Sequence, residues 1–206
     1  MSLPLDAVVA LFVVLIVSLS VHEAAHAWTA DRLGDPTARR LGRLTLNPIS
    51  HIDPIGTVLF PLIAIVSGLP LLGWAKPVPV DPRNLASPRR DFAIVALAGP
   101  VSNLLMAMAA AVVLKLLFPV GAGLSFGAML VARAVSLNVV LAVFNMLPVP
   151  PLDGGNVLAG LVPESVARVI DRAKPYGFLI LYVLMYMGIL GDIVFPLQRR
   201  IAGWLV

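Results

Sequence analysis

The sequence predicts an α-helical polytopic membrane protein. It has about five apolar segments, four spanning helices and one segment that spans or re-enters, plus a small membrane-associated β element. Three observations carry this reading. Of the 206 residues, 59% are hydrophobic and only 13% are charged, more apolar surface than a soluble domain of this size can hide. Apolar runs of about 20 residues, the length that crosses a hydrocarbon core, recur along the chain. The 18 prolines and 16 glycines are many for a helical membrane protein. They imply broken helices or extended pieces, which survive at membrane depth only inside protein or beside a wet cavity.

The first helix is expected from about Leu5 to Leu33, with Gly34 as its stop and Asp35-Pro36 as a turn. It lacks a basic leader and a small-residue cleavage site, so it is expected to be retained. Leu41 to Asn47 alternates apolar and polar residues, the pattern of a short strand, and Asn47-Pro48 ends it. Ile55 to Gly73 is apolar but interrupted by Pro61, Gly68 and Pro70. Trp74 to Val80 contains Pro77 and Pro79, which exclude a helix and leave an extended segment. Asp91 to Phe118 is a long apolar helix, with Lys115 free to snorkel. An uncharged loop over 121–127 leads to a helix over Ala128 to Leu147. Pro148-Val149-Pro150-Pro151 and Leu152-Asp153-Gly154-Gly155 follow. Ala159 to Lys174 is polar enough for the interface, and Tyr176 to Phe195 is the last spanning candidate, ahead of Arg199, Arg200 and an amphipathic tail. With no internal repeat, residues 1–206 read as a single domain with a core over about 5–160 and a C-terminal helix over about 175–195.

The net charge of +4 is explained by basic residues in cytoplasmic loops and calls for no nucleic-acid partner. Arg32, Arg39, Arg40 and Arg43 form one basic group. Lys76, Arg83, Arg89 and Arg90 form a second, and Arg168, Arg172 and Lys174 a third. The positive-inside rule places all three in the cytoplasm, which requires Ile55 to Gly73 to begin and end on that side. There is no cysteine, so disulfides and thiolate ligands are excluded and any metal must use His, carboxylate or carbonyl donors.

His22-Glu23-Ala24-Ala25-His26 carries the chemistry. Residues four apart share a helix face, so both imidazoles can meet one ion, and Glu23 can reach a water beside it without being a ligand. The motif lies within an apolar run, where ionisable groups are costly and usually functional. A catalytic zinc site needs a third protein ligand. His51 is the remaining histidine. Asp153 stands out among the acids because it follows a proline-broken helix and precedes two glycines. An Asp capping a new helix is also a common role.

Three motifs together resemble the site-2 protease family of intramembrane zinc metalloproteases. They are His22-Glu23-Ala24-Ala25-His26, then Gly99-Pro100-Val101-Ser102-Asn103, then Phe144-Asn145-Met146-Leu147-Pro148 continuing to Pro151-Leu152-Asp153-Gly154-Gly155. The resemblance implies one Zn2+ per chain, with His22, His26 and Asp153 as ligands and Glu23 as general base and acid. It also implies that Asn145 holds the substrate carbonyl or oxyanion. The implied activity is hydrolysis of transmembrane protein substrates within or beside the lipid bilayer. The implied setting is the cell membrane, with a multi-pass chain and an active site towards the cytoplasmic side. The chain looks like the compact subgroup without PDZ or CBS domains, and it carries an extra 48–90 insertion. Two other classes compete: a metal transporter, and an inactive scaffold or chaperone. Related halves and repeated ligands, which a transporter would need, are not visible, and Glu23 argues against an inactive scaffold. The sequence leaves the substrate, the regulator and the oligomeric state unspecified. Of the remaining polar residues, His51 is expected to anchor the insertion and Arg133 to snorkel. Asn138 is expected to support Asn145 from the same helix face. The Leu41–Asn47 strand is expected to hold an unwound substrate by strand addition.

Overall fold

The computed structural model describes residues 5–67, 73–118 and 125–206. The first helix, α1 (Leu5–Arg32), ends close to its expected stop. Gly34 takes a positive φ of 107°, which favours glycine, and Asp35 N–H closes the turn onto the Ala30 carbonyl. The short α2 (Thr37–Arg40) follows.

The expected strand over Leu41–Asn47 does not form, and no strand occurs among the described residues. The reason is local. Gly42 has a φ of 67°, and the Leu41 and Arg43 N–H groups turn back to the carbonyls of Thr37 and Ala38. Asn47 N–H is spent on the Thr45 hydroxyl. The alternating leucines survive as exposed side chains, Leu41 and Leu46, instead of as one face of a sheet.

Asn47 and Asp53 then cap a 3-10 turn (Pro48–Ser50) and a π-helix (Pro54–Leu59), the latter running into α3 (Phe60–Ser67). The expected breaks at Gly68 and Pro70 lie outside the described residues. Residue 74 comes back to where the segment began. Trp74 N–H donates to the Gly56 carbonyl, and the Thr57 hydroxyl donates to the Trp74 carbonyl. A side chain at Gly56 would collide with the Trp74 indole at 2.4 Å.

Residues 73–81 are extended, as the two prolines require, but they pair with loops and side chains instead of a strand. Lys76 N–H meets the His51 carbonyl, Arg43 Nη2 meets the Lys76 carbonyl, and Asp81 N–H meets Asp35 Oδ2.

The remaining α-helices are α4 (Pro88–Leu117), α5 (Phe126–Asn145), α6 (Asp153–Leu161), α7 (Glu164–Ala173), α8 (Gly177–Tyr186) and α9 (Ile189–Leu205). The last spanning candidate, Tyr176–Phe195, is bent. Gly188 adopts a φ of 78°, and the helical run Glu164–Tyr186 meets Ile189–Leu205 at 77°. Among the described residues three helices are long and apolar enough to cross a membrane, or four if the bent pair counts as one span.

Small residues let α1, α4 and α5 approach closely: Ala10, Ala27, Ala107, Ala111 and Ala142 are all buried between helices. The outward faces are apolar, as in the exposed row Val9, Val13 and Val17 on α1. Polar groups turn inward instead: Ser18, His22, Glu23, His26, Asn103 and Asn138 are buried. That distribution suits a lipid surround. A second core of Leu147, Leu152, Leu181, Leu190 and Val194 fixes the proline-rich turn after α5 against α8 and α9.

Candidate metal centre and active site

His22 and His26 lie one turn apart on α1 with their Nε2 atoms 3.0 Å from each other. Asp153, the first residue of α6, brings Oδ2 to 3.1 Å from His22 Nε2 and 3.5 Å from His26 Nε2. Two glycine contacts make that approach possible. Gly154 passes so near the end of α5 that a Cβ would stand 2.3 Å from the Met146 carbonyl oxygen. Further along α6, Gly160 rests on Ala93 of α4, and Arg89 reaches over to donate to the Ala159 and Val162 carbonyls at the helix end.

The outer nitrogens of both rings are engaged. His26 Nδ1 lies 2.7 Å from the Val95 carbonyl oxygen, and His22 Nδ1 lies 2.6 Å from Asn103 Oδ1. A carbonyl only accepts, so these nitrogens carry protons, and the Nε2 atoms are the ones turned towards each other and free to meet an ion. Asp153 Oδ2 is buried beside them with no hydrogen-bond donor. Three acceptors within 4.8 Å of one another, two imidazoles and a carboxylate, are a donor set that a cation would satisfy. Zinc ligands about 2.0–2.2 Å from the ion at tetrahedral angles stand roughly 3.3–3.6 Å apart, close to the spacings here. The residues therefore fit zinc.

Glu23 is buried beside the two histidines, and its Oε2 accepts a 2.9 Å hydrogen bond from Val78 N–H. Pro77 and Pro79 have no N–H to give, so Val78 supplies the sole backbone donor across residues 77–79. The extended segment thus lies over the Glu23 carboxylate. Its far end is tied to the end of α1 through Asp35. Burial pushes the Asp35 carboxyl up. Hydrogen bonds from Thr37 Oγ1, Asn84 Nδ2 and the Asp81 and Thr37 N–H groups outweigh this and hold it below the ordinary carboxylate value.

Other expected residues fall differently. Asn145, at the end of α5, donates from Nδ2 to the Leu141 carbonyl of its own helix and makes no hydrogen bond to the three converging side chains. Asn138 does not support Asn145; its amide faces Asn103. His51 lies apart from the three and joins two loops, donating from Nε2 to the Thr45 carbonyl while its own carbonyl accepts from Lys76. Arg133 is exposed on α5. Two residues without an assigned role in the sequence reading belong to the site. Asn103 orients His22, and Gly99 forms the floor: a Cβ there would stand 2.5 Å from His22 Cε1 and from His26 Nε2. Both lie in the Gly99-Pro100-Val101-Ser102-Asn103 motif, whose small residue and carboxamide were the available signal.

Known proteins point the same way. The family model for Peptidase family M50 matches residues 124–188. The "Putative zinc metalloprotease YwhC" of Bacillus subtilis (strain 168) is 41% identical over 199 residues, covering 94% of this chain and 88% of that protein. The "Putative zinc metalloprotease Rip2" of Mycobacterium tuberculosis (strain ATCC 25618 / H37Rv) is 36% identical over 171 residues, 82% of this chain and 63% of that protein. No solved structure matches the chain. An identity of 41% along nearly the whole length leaves one assignment: the chain belongs to peptidase family M50, the site-2 protease family of zinc metalloproteases.

Proposed function

We propose that this chain hydrolyses peptide bonds of transmembrane proteins at a single zinc held by His22, His26 and Asp153, with Glu23 as general base and acid. The observation that carries the proposal is the convergence of the two Nε2 atoms and Asp153 Oδ2, with Glu23 adjacent, inside an apolar helix bundle. Zinc, when bound, supplies Lewis acidity towards a carbonyl and lowers the pKa of water. The protein does the rest. The Nδ1 hydrogen bonds to Asn103 and Val95 fix the two rings. Val78 N–H holds Glu23 Oε2, which leaves Oε1 to take the proton of the attacking water and pass it to the leaving nitrogen. The buried, apolar surround strengthens each of these interactions.

Asn145 is proposed to hydrogen-bond the scissile carbonyl as negative charge develops on it. This requires its amide to leave the Leu141 carbonyl and turn towards the substrate. Asn145→Ala should then lower kcat about 10²–10³-fold, as loss of an oxyanion donor does, with zinc content unchanged by elemental analysis. Unchanged turnover would remove Asn145 from the mechanism.

A transmembrane substrate must be locally unwound, and its freed N–H and C=O groups need partners. The extended 73–81 segment lies over Glu23 and is the candidate to provide them, a part earlier expected of Leu41–Asn47. Two features support a cytoplasm-facing active site in the plasma membrane. The basic groups flank the 55–73 segment, and residue 74 returns to residues 56–57. The helical stretch from Pro54 to Ser67 also rises at most roughly 20 Å, short of a hydrocarbon core of about 30 Å. The segment is therefore proposed to re-enter on the side it left. The chain has no native cysteine to confuse a labelling experiment. A cysteine placed at Ser67 should resist an impermeant thiol reagent added outside the cell; efficient outside labelling would mean a full span. The proteolytic activity itself is tested by incubating purified protein with single-span membrane proteins, with Glu23→Gln as the control.

A further inference from the structure

A chain of buried amides leads from the metal centre to α5. Asn138 Nδ2 donates to the Ala134 carbonyl at 2.9 Å. Asn138 Oδ1 accepts from Asn103 Nδ2 at 2.9 Å. Asn103 Oδ1 then meets His22 Nδ1 at 2.6 Å. Both asparagines are 0% exposed, so no water competes for their hydrogen bonds.

The polarity of this chain is set from its far end. A backbone carbonyl only accepts, so the Asn138 NH2 group must face Ala134. Its oxygen is then left for Asn103, which must answer with its own NH2. The Asn103 oxygen is left for His22, whose Nδ1 must carry a proton, so Nε2 is the nitrogen left to meet an ion. Asn103 alone could not enforce this, because an amide turned by 180° occupies the same space. Turned that way, it would offer NH2 to His22 Nδ1 and favour a protonated Nε2, aimed at His26 Nε2 and Asp153 Oδ2. The turned amide would also set its oxygen against Asn138 Oδ1, and that acceptor pair is the penalty that excludes it. A long 3.5 Å contact from Asn103 Nδ2 to the Ser18 carbonyl asks for the same orientation more weakly. His26 needs no such relay, since the Val95 carbonyl faces its Nδ1 directly.

We propose that Asn138 is a positioning residue: through Asn103 it fixes the tautomer of His22, and thereby sets how tightly the centre binds zinc. This rests on the reading of His22 as a metal ligand. The test uses the full chain in micelles, with Asn138→Leu and Asn138→Asp. A protonated Asp reproduces both Asn138 hydrogen bonds, with O–H to Ala134 and C=O to Asn103, whereas Leu reproduces neither. In zinc-free wild type, 15N spectra of the three histidines should show a proton on His22 Nδ1. Asn138→Leu should give a mixture of tautomers and bind zinc about 10–100-fold more weakly in chelator competition, with unchanged helix content. Asn138→Asp should restore both readouts. Asn138→Ala, which also frees the Asn103 amide, replaces the Leu variant if that protein does not fold. A wild-type His22 without a proton on Nδ1 would overturn the proposal. So would an Asn138→Leu or Asn138→Ala protein with wild-type tautomer and zinc affinity. Failure of wild type to bind zinc would instead overturn the functional reading, while the zinc-free tautomers would still judge the relay.

Discussion

Glu23→Gln is expected to keep fold and zinc while turnover falls about 10²–10⁴-fold, the usual contribution of a positioned acid–base group. The substitution is close to isosteric, and the Gln oxygen can still accept from Val78 N–H, so the extended segment stays in place. What is lost is the ability to take a proton from water and return it to the leaving nitrogen. Cleavage of a single-span reporter, measured beside zinc content, separates this from loss of the metal. Turnover equal to wild type would point to another base or to a function other than proteolysis.

Gly99→Ala is expected to damage the metal centre directly, through a single added methyl. The new Cβ would stand 2.5 Å from His22 Cε1 and from His26 Nε2, inside van der Waals contact with both rings. Neither ring is a flexible end. Each is held through Nδ1, and turning away would break the bonds to Asn103 and Val95. The alternative is withdrawal of α4 from α1, which opens a tightly packed, small-residue interface. Overpacking of this kind costs about 1–3 kcal/mol. The expected result is a protein with a lowered midpoint of thermal unfolding, little bound zinc and no measurable cleavage. Normal zinc binding would contradict the close packing of α4 on the two histidine rings of α1.

Much of the site could be read from residue order because its determinants are local. The His22 and His26 pair needs only helical spacing; Asp153 stands out by the two glycines after it, but only the family resemblance sets it apart from a helix cap, because its approach to α1 is long-range. The long helices followed from apolar length, and the stop at Gly34 from its residue type. The failures came where one pattern fits two structures. Leu41–Asn47 alternates like a strand, yet positive φ at Gly42 and a turn back to Ala38 consume its N–H groups. Tyr176–Phe195 is apolar apart from Asp192, yet it bends at Gly188, and composition does not encode where a helix bends. Asn138 and Asn145 share a helix face in sequence, but Asn138 is bound to Asn103, which is 35 residues away in the chain, a distance that periodicity cannot see. The contact between Val78 N–H and Glu23 is equally invisible, since it depends on how residues 73–81 return over α1.

The central claim is that two imidazoles and one carboxylate from α1 and α6 hold a single zinc. X-ray absorption at the zinc edge, on protein purified from membranes and on its Asp153→Ala variant, tests it most directly. The account predicts one zinc per chain, nitrogen and oxygen neighbours at about 2.0–2.2 Å with a two-imidazole signature, and loss of most of the metal in the variant. Stoichiometric zinc retained by Asp153→Ala with an unchanged spectrum would contradict it.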